Sequence, residues 1–348
     1  MELNELTEDR QAGSAISPLP ADASAPTGWL RVIGVGLGLA VLVGLLVTAF
    51  AWPPAESAPR NVPIAIVGPA EATARLEQQL ATSMPDAFKP ERAADTDAAR
   101  QLIQDREVYG AIVLEPAEPP QVLTASAGSP VISQILNGIA DQLAQQAAGA
   151  PSPQVEDVVP LSADDPRGSV FAAAALPMVI GGMVVGILLS FVVAGVWRRV
   201  AGALVAALTA GWVVTLVTHG WLGALDGSPW ANAGAVALTI AAISLTMIGL
   251  VSLLGPVGIG LGAVIMFLVG NSLSGVSSAP EMLPTGWATF GQMLPAGAGG
   301  ALLRSTAYFD GAAAARPVLV LTAWVAAGLV LAALGRRLRP ASHYALAD

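Results

Sequence analysis

Six runs of apolar residues, uncharged from end to end, constrain this chain more than any other feature. They cover residues 32–52, 170–196, 200–219, 231–254, 256–273 and 317–334. A helix that crosses a bilayer needs about 20 mainly apolar residues, because lipid offers no partner to an unpaired backbone N–H or C=O. Surface chemistry points the same way. Only 12% of the 348 residues are charged, against roughly 25% in a soluble domain, too few to coat a water-soluble core of this size. The expected fold class is an α-helical polytopic membrane protein of about six transmembrane helices, with a small extracytoplasmic α/β domain inserted between helices 1 and 2. The implied division is a disordered cytoplasmic tail over 1–29, helix 1 over 30–52 and the external domain over 53–168. Helices 2–6 follow over 169–340, with a re-entrant or interfacial hairpin at 274–311, and a second cytoplasmic tail occupies 341–348.

Details of the runs refine this. Gly34 with Gly38, Gly182 with Gly186, and Gly258 with Gly262 have GxxxG spacing, which permits close helix packing, although glycine is common in membrane helices generally. Ala49-Phe50-Ala51 fits a signal-peptidase pattern, but the apolar run is too long for a secretory signal and follows a long acidic stretch. It reads as an uncleaved anchor. Arginines set the orientation, since cytoplasmic flanks are enriched in Lys and Arg. Arg31 precedes helix 1, Arg198 and Arg199 join helices 2 and 3, and Arg336, Arg337 and Arg339 follow helix 6. With six spans these lie on one face, so both termini are expected in the cytoplasm of a plasma-membrane protein. Arg60, Arg167, Arg304 and Arg316 fall on the opposite face and dilute the bias.

The net charge of −9 comes from acids concentrated in residues 1–27 and 53–167. Residues 53–167 carry α/β patterning. Strands are expected over 61–67, 108–114 and 121–124. Helices are expected over 70–84, from the four-residue spacing of Leu76, Leu80 and Met84, and over 95–106, where Asp95 caps a stripe of Ala99, Leu102, Ile103 and Arg106. Ser129-Pro130 opens a third helix, with proline at its first position, burying Val131, Ile135, Ile139 and Leu143. Residues 147–165, rich in Pro, Ala, Ser and acids, read as a linker back to the bilayer.

Motifs for chemistry are missing from the sequence. There is no cysteine and there are two histidines, so disulfides and Cys-ligated metals are excluded and no metal cluster is expected. There is no G-x-x-x-x-G-K-[ST] phosphate loop, no clustered basic patch for nucleic acid, and no isolated carboxylate pair of the kind that runs acid–base chemistry. No cofactor is expected and the chain does not read as an enzyme. Gly270-Asn271-Ser272 has a slight likeness to an intramembrane serine-protease motif, but the following glycine is missing and no later span carries a histidine. His219 beside Trp221 reads as an interfacial residue.

Between helices 5 and 6 lies a stretch too apolar for a solvated loop and too broken by Pro and Gly for a span. It runs through Asn271–Gly275, Pro280–Pro284, Leu294–Gly300 and Leu303–Gly311. Trp287, Phe290, Met293 and Leu294 would place one face at headgroup depth. Two readings stay open: an interfacial cap bracing helices 5 and 6, or a re-entrant gate lining an exit path.

These segments, with Asp97-Ala98-Ala99-Arg100 and Val108-Tyr109-Gly110-Ala111 in the external domain, carry a resemblance over nearly the whole chain. The chain resembles the permeases of ABC-2-type exporters, most closely the phage-infection-protein (YhgE/Pip) branch of Gram-positive bacteria. The resemblance implies a membrane subunit that forms a homodimer or hetero-oligomer in the lipid bilayer and exports a substrate with a separate ATPase. Asn271, Ser274, Glu281 and Arg304 would then lie at the gate, with Glu281 and Arg304 paired across the hairpin. Trp197, Arg198 and Arg199 would form a small coupling helix for the ATPase. The other reading is a membrane-anchored scaffold or receptor whose external domain binds cell-envelope or secretion components.

Overall fold

The computed structural model describes residues 28–115, 119–146 and 153–338. Residues 1–27 and 339–348, including Arg339, lie outside the described residues, and with them most of the 1–29 segment expected to be a disordered tail. Among the described residues, five helices are long and apolar enough to cross a bilayer: α1 (Trp29–Ala55), α5 (Ser169–Val192), α6 (Val196–Thr215, continuing as a π-helical turn over Leu216–Trp221), α7 (Pro229–Leu254) and α11 (Ala315–Leu338). The first 17 residues of α1 form a unit by themselves, an apolar helix with its side chains exposed along its length. The remainder of the chain, from Leu46, is a second unit.

The expectation of six spans needs correction at the fifth run. There the chain forms α8 (Pro256–Ala263), extended by a π-helical stretch over Val264–Val269. These 14 residues rise only about 21 Å, short of the ~30 Å hydrocarbon thickness. Gly270, Asn271 and Ser272 then turn the chain, and Gly275 takes a left-handed backbone at φ +65°. Two short helices, α9 (Trp287–Gln292) and α10 (Pro295–Tyr308), complete a hairpin before α11.

α7 is the axis of the bundle, with 78% of its most apolar window buried against 22–28% for α5, α6 and α11. Glycines set the close contacts. A Cβ on Gly182 would meet Ile243, and one on Gly186 would meet Met247 at 2.6 Å; Gly258 and Gly262 lie against Leu250 and Met247. Both of these GxxxG pairs therefore pack against α7. Gly34 and Gly38 have open space around them. The pairings also show direction. Gly182 and Gly186 meet Ile243 and Met247, and Gly328 and Gly335 meet Leu245 and Ser252, so α5 and α11 run parallel to α7. α8 runs antiparallel to it, and the hairpin brings the chain the rest of the way to the start of α11.

Between α1 and α5 lies a sheet domain whose five strands, among the described residues, are ordered β2-β1-β3-β4-β5. Its strands are β1 (Val62–Val67), β2 (Phe88–Arg92), β3 (Gly110–Val113), β4 (Gln121–Thr124) and β5 (Gln154–Asp157). All neighbours are parallel except β3 and β4. Helices α2 (Ala70–Ser83) and α4 (Pro130–Gln146) cover one face, packing on Val62, Ile64 and Ile66. Helix α3 (Thr96–Gln104) covers the other, on Ala65 and Val67. Alternation along β1 thus feeds two cores, as a strand's two-residue period requires. Asp95 caps α3 as expected, accepting from the Ala98 N–H at 2.7 Å.

Two strands were not expected. β5 lies within the stretch read as a linker, and β2 (Phe-Lys-Pro-Glu-Arg) has neither alternation nor β-branched residues. Both are edge strands, where charge and proline are tolerated because one side needs no partner. Neither core closes within the domain. Ala279 and Met282 of the hairpin complete the α2/α4 side, and Phe309 completes the α3 side.

Candidate functional site at the hairpin seam

The seam between domain and hairpin is built first by backbone. Past the end of α1 the chain pairs with the hairpin: the Ala58 N–H donates to Met282 O at 3.3 Å, and the Arg60 N–H to Glu281 O at 3.1 Å. The Arg60 guanidinium adds bonds to Met282 O (3.2 Å) and Leu283 O (3.1 Å). Arginine suits this because its five N–H groups can serve several carbonyls at once.

Two residues just past α3 reach across the seam. Arg106, left-handed at φ +60°, donates to Ala301 O at 3.0 Å and to Ser305 Oγ on α10, with its guanidinium over the Phe309 ring at 5.1 Å. Tyr109 donates its phenol to Glu281 Oε2 at 2.7 Å. Burial and the nearby Glu281 carboxylate push the Tyr109 phenol well above its ordinary range, while burial pulls the Arg106 guanidinium down.

Arg304 stands inside α10, 6% exposed. It donates from Nη2 to Val276 O at 2.8 Å and lies over the Phe171 ring at 4.8 Å. The expected pairing of Glu281 with Arg304 is not formed, since no ion pair among the described residues includes either. Glu281 bonds Tyr109 of the sheet domain, whereas Arg304 bonds Val276 and lies over Phe171 of α5. The arrangement is two buried or half-buried guanidinium groups near a single carboxylate, each held by carbonyls and an aromatic face. Such surplus charge is costly unless every hydrogen bond is kept.

Asn271 and Ser274 come together deeper in. Ser274 Oγ donates to Asn271 O at 2.8 Å, and Gln292 Nε2 donates to Ser274 O at 2.8 Å. With Thr239, Val276 and Gly300 they line a cavity of about 10 Å³, the least volume that takes one water. Val276 links this cavity to Arg304, lining the one and accepting from the other. Glu281 lies outside this group, bonded to Tyr109 of the sheet domain. Of the face expected at headgroup depth, Trp287, Phe290 and Met293 are exposed but Leu294 is buried. Trp287 packs edge-on to Trp52 at 5.8 Å, and Trp324 on α11 donates to Met293 O at 2.8 Å.

The end of α10 and the start of α5 are tied to the same region. Tyr308 at the end of α10 donates to Ala224 O at 2.7 Å. Asp165 caps α5, accepting from Ser169 N–H and Oγ and from Val170 N–H at 2.8–2.9 Å.

At the opposite end, Trp197, Arg198 and Arg199 form the first turn of α6 itself. They are not a separate coupling helix, because Gly195 (φ +89°) starts a helix that continues without a break. Arg199 Nε donates to Val193 O at 2.7 Å, and Arg336 lies over the Trp197 ring at 5.9 Å.

Arg106, Ser305, Phe171 and Phe309 were not anticipated at the site. The one signal was Arg106 itself, a charged residue on the otherwise apolar stripe of the helix expected over 95–106, which ends at Gln104. Compared with protein-family models, with curated proteins and with solved structures, the chain matches none.

Proposed function

We propose that this protein is the membrane subunit of an ABC-2-type exporter, nearest in kind to the YhgE/Pip-like proteins, moving a substrate outward across the plasma membrane with a separate ATPase. The observation that carries this reading is the incomplete fifth crossing. α8 and its π-helical extension stop short, and the remaining depth is filled by a hairpin that the external domain holds through Arg60, Arg106 and Tyr109. Irregular backbone at that depth is tolerated where protein or water satisfies it, and it is the natural moving part in a bundle of rigid helices. The Asn271–Ser274 cavity is closed to anything larger than water, so this form is the shut one. Export would require the hairpin to part from α7 and the external domain to follow.

The second reading, a scaffold or receptor for envelope or secretion components, is favoured by one feature. The inner turns are short, from Val193 to Gly195 and at Gly255, leaving an ATPase little to push on. One experiment separates the two. The full-length chain is extracted from its native membrane in mild detergent, and ATP hydrolysis by any nucleotide-binding subunit that accompanies it is measured in nanodiscs. Hydrolysis that depends on the chain is the expected result. Purification with an envelope component and no such ATPase would favour the scaffold reading.

A further inference from the structure

We infer that the end of the bundle where α6 begins and α11 stops is a binding site for the phosphate headgroup of an anionic phospholipid, with Arg198, Arg199, Arg336 and Arg337 as the binding groups. The Arg336–Trp197 stacking brings the two helix ends side by side. Both helices are fixed on α7, α6 through Gly211 against Ala233 and α11 through Gly335 against Ser252, so the four guanidinium groups are delivered by rigid elements. None of the four takes part in an ion pair among the described residues; the pairs found there all belong to the external domain. Between residues 168 and 338 the carboxylates are Asp226, Glu281 and Asp310. Asp226 precedes the start of α7, Glu281 bonds the external domain and Asp310 follows α10. All three belong to the far end of the bundle, roughly 39 Å along α7.

Four unpaired guanidinium groups call for an anion, and their planar forks match phosphate oxygens. The surroundings identify which kind. Phe191 and Val192 at the end of α5 are 67% and 78% exposed, and Leu338 at the end of α11 is 69% exposed. These side chains would take an acyl chain, and a soluble phosphate would leave them bare. Trp197, 49% exposed, sits where an interfacial indole belongs. The inference does not depend on export, and its test contains no ATPase.

Full-length protein in detergent micelles is titrated with phosphatidylglycerol, with phosphatidylcholine, and with inorganic phosphate, reading bound lipid by native mass spectrometry and the thermal unfolding midpoint. Phosphatidylglycerol should be retained and should raise the midpoint, whereas the other two should not. The double variant Arg198→Gln, Arg336→Gln should lose on the order of twentyfold in apparent affinity, about fivefold per arginine, and Arg92→Gln in the external domain should lose nothing. Equal shifts from phosphatidylcholine, or an unchanged preference in the double variant, would overturn the site. An equal shift from inorganic phosphate would overturn the lipid assignment. If the double variant does not fold, rising salt on the wild type decides: the preference should fade, and persistence through 1 M would count against these arginines.

Discussion

Tyr109 and Glu281 are 172 residues apart, yet their hydrogen bond joins the sheet domain to the hairpin. Tyr109→Phe removes it and leaves the carboxylate without its donor, an expected loss of about 1–2 kcal/mol, measurable as a lowered denaturant midpoint in micelles. The same residue predicts a pH dependence. Its phenol is raised above the ordinary value of 10.0, so the folded protein keeps a proton that the unfolded chain gives up. That stabilisation is whole below pH 10 and is lost progressively as pH rises above it. Denaturation midpoints from pH 8 to 11 should fall for the wild type and fall less for Tyr109→Phe. Arg304 makes a different prediction. In the proposed exporter, Arg304→Ala should insert normally but lose export, because Val276 O loses its donor and the Phe171 face its cation beside the cavity. Wild-type transport at normal expression would remove Arg304 from the gate.

At the scale of elements, two glycines separate packing from composition. A Cβ on Gly328 would lie 2.6 Å from the Leu245 carbonyl carbon, while Gly34 has open space around it. Gly328→Leu should therefore force α11 off α7 and cost about 1–3 kcal/mol, visible as aggregation on size exclusion and a lower unfolding temperature. Gly34→Ala should leave both unchanged within about 0.5 kcal/mol. The long helices, the three helices of the sheet domain and three of the strands were legible because their signals are local, such as long uncharged runs, a cap at Asp95, and four-residue spacing in α2. Helices α9 and α10, by contrast, fell in a stretch read only as a hairpin. β2 and β5 were not legible, since an edge strand such as Phe88–Arg92 is held by the neighbour it pairs with and not by a pattern of its own. The fifth span was misread for a related reason. Hydropathy reports that residues 256–273 tolerate lipid, but not that Gly270 and Gly275 turn the chain before it is crossed.

For the molecule as a whole, the sheet domain and the hairpin fold as one body, because each of the domain's two cores is closed by hairpin residues. Phe309→Ala should loosen the domain from a distance of more than 140 residues in sequence. The expected cost is about 3 kcal/mol, seen as reduced amide-exchange protection in β3 and α3 with little change in α6. Protection lost only around α10 would mean that the domain closes its α3 core without Phe309.

By itself the sequence determined the segments: which stretches are apolar enough for lipid, which alternate as strands, and where Arg198, Arg199, Arg336 and Arg337 gather. Each of these depends on residues within a few turns of one another. Only the tertiary structure decided the partners. Arg304 was visible as an arginine among apolar residues, but its placement over the Phe171 ring, unpaired with Glu281, depends on a segment more than 100 residues away. Periodicity records which face of an element is buried; what that face is buried against is a non-local choice, made when the whole chain packs.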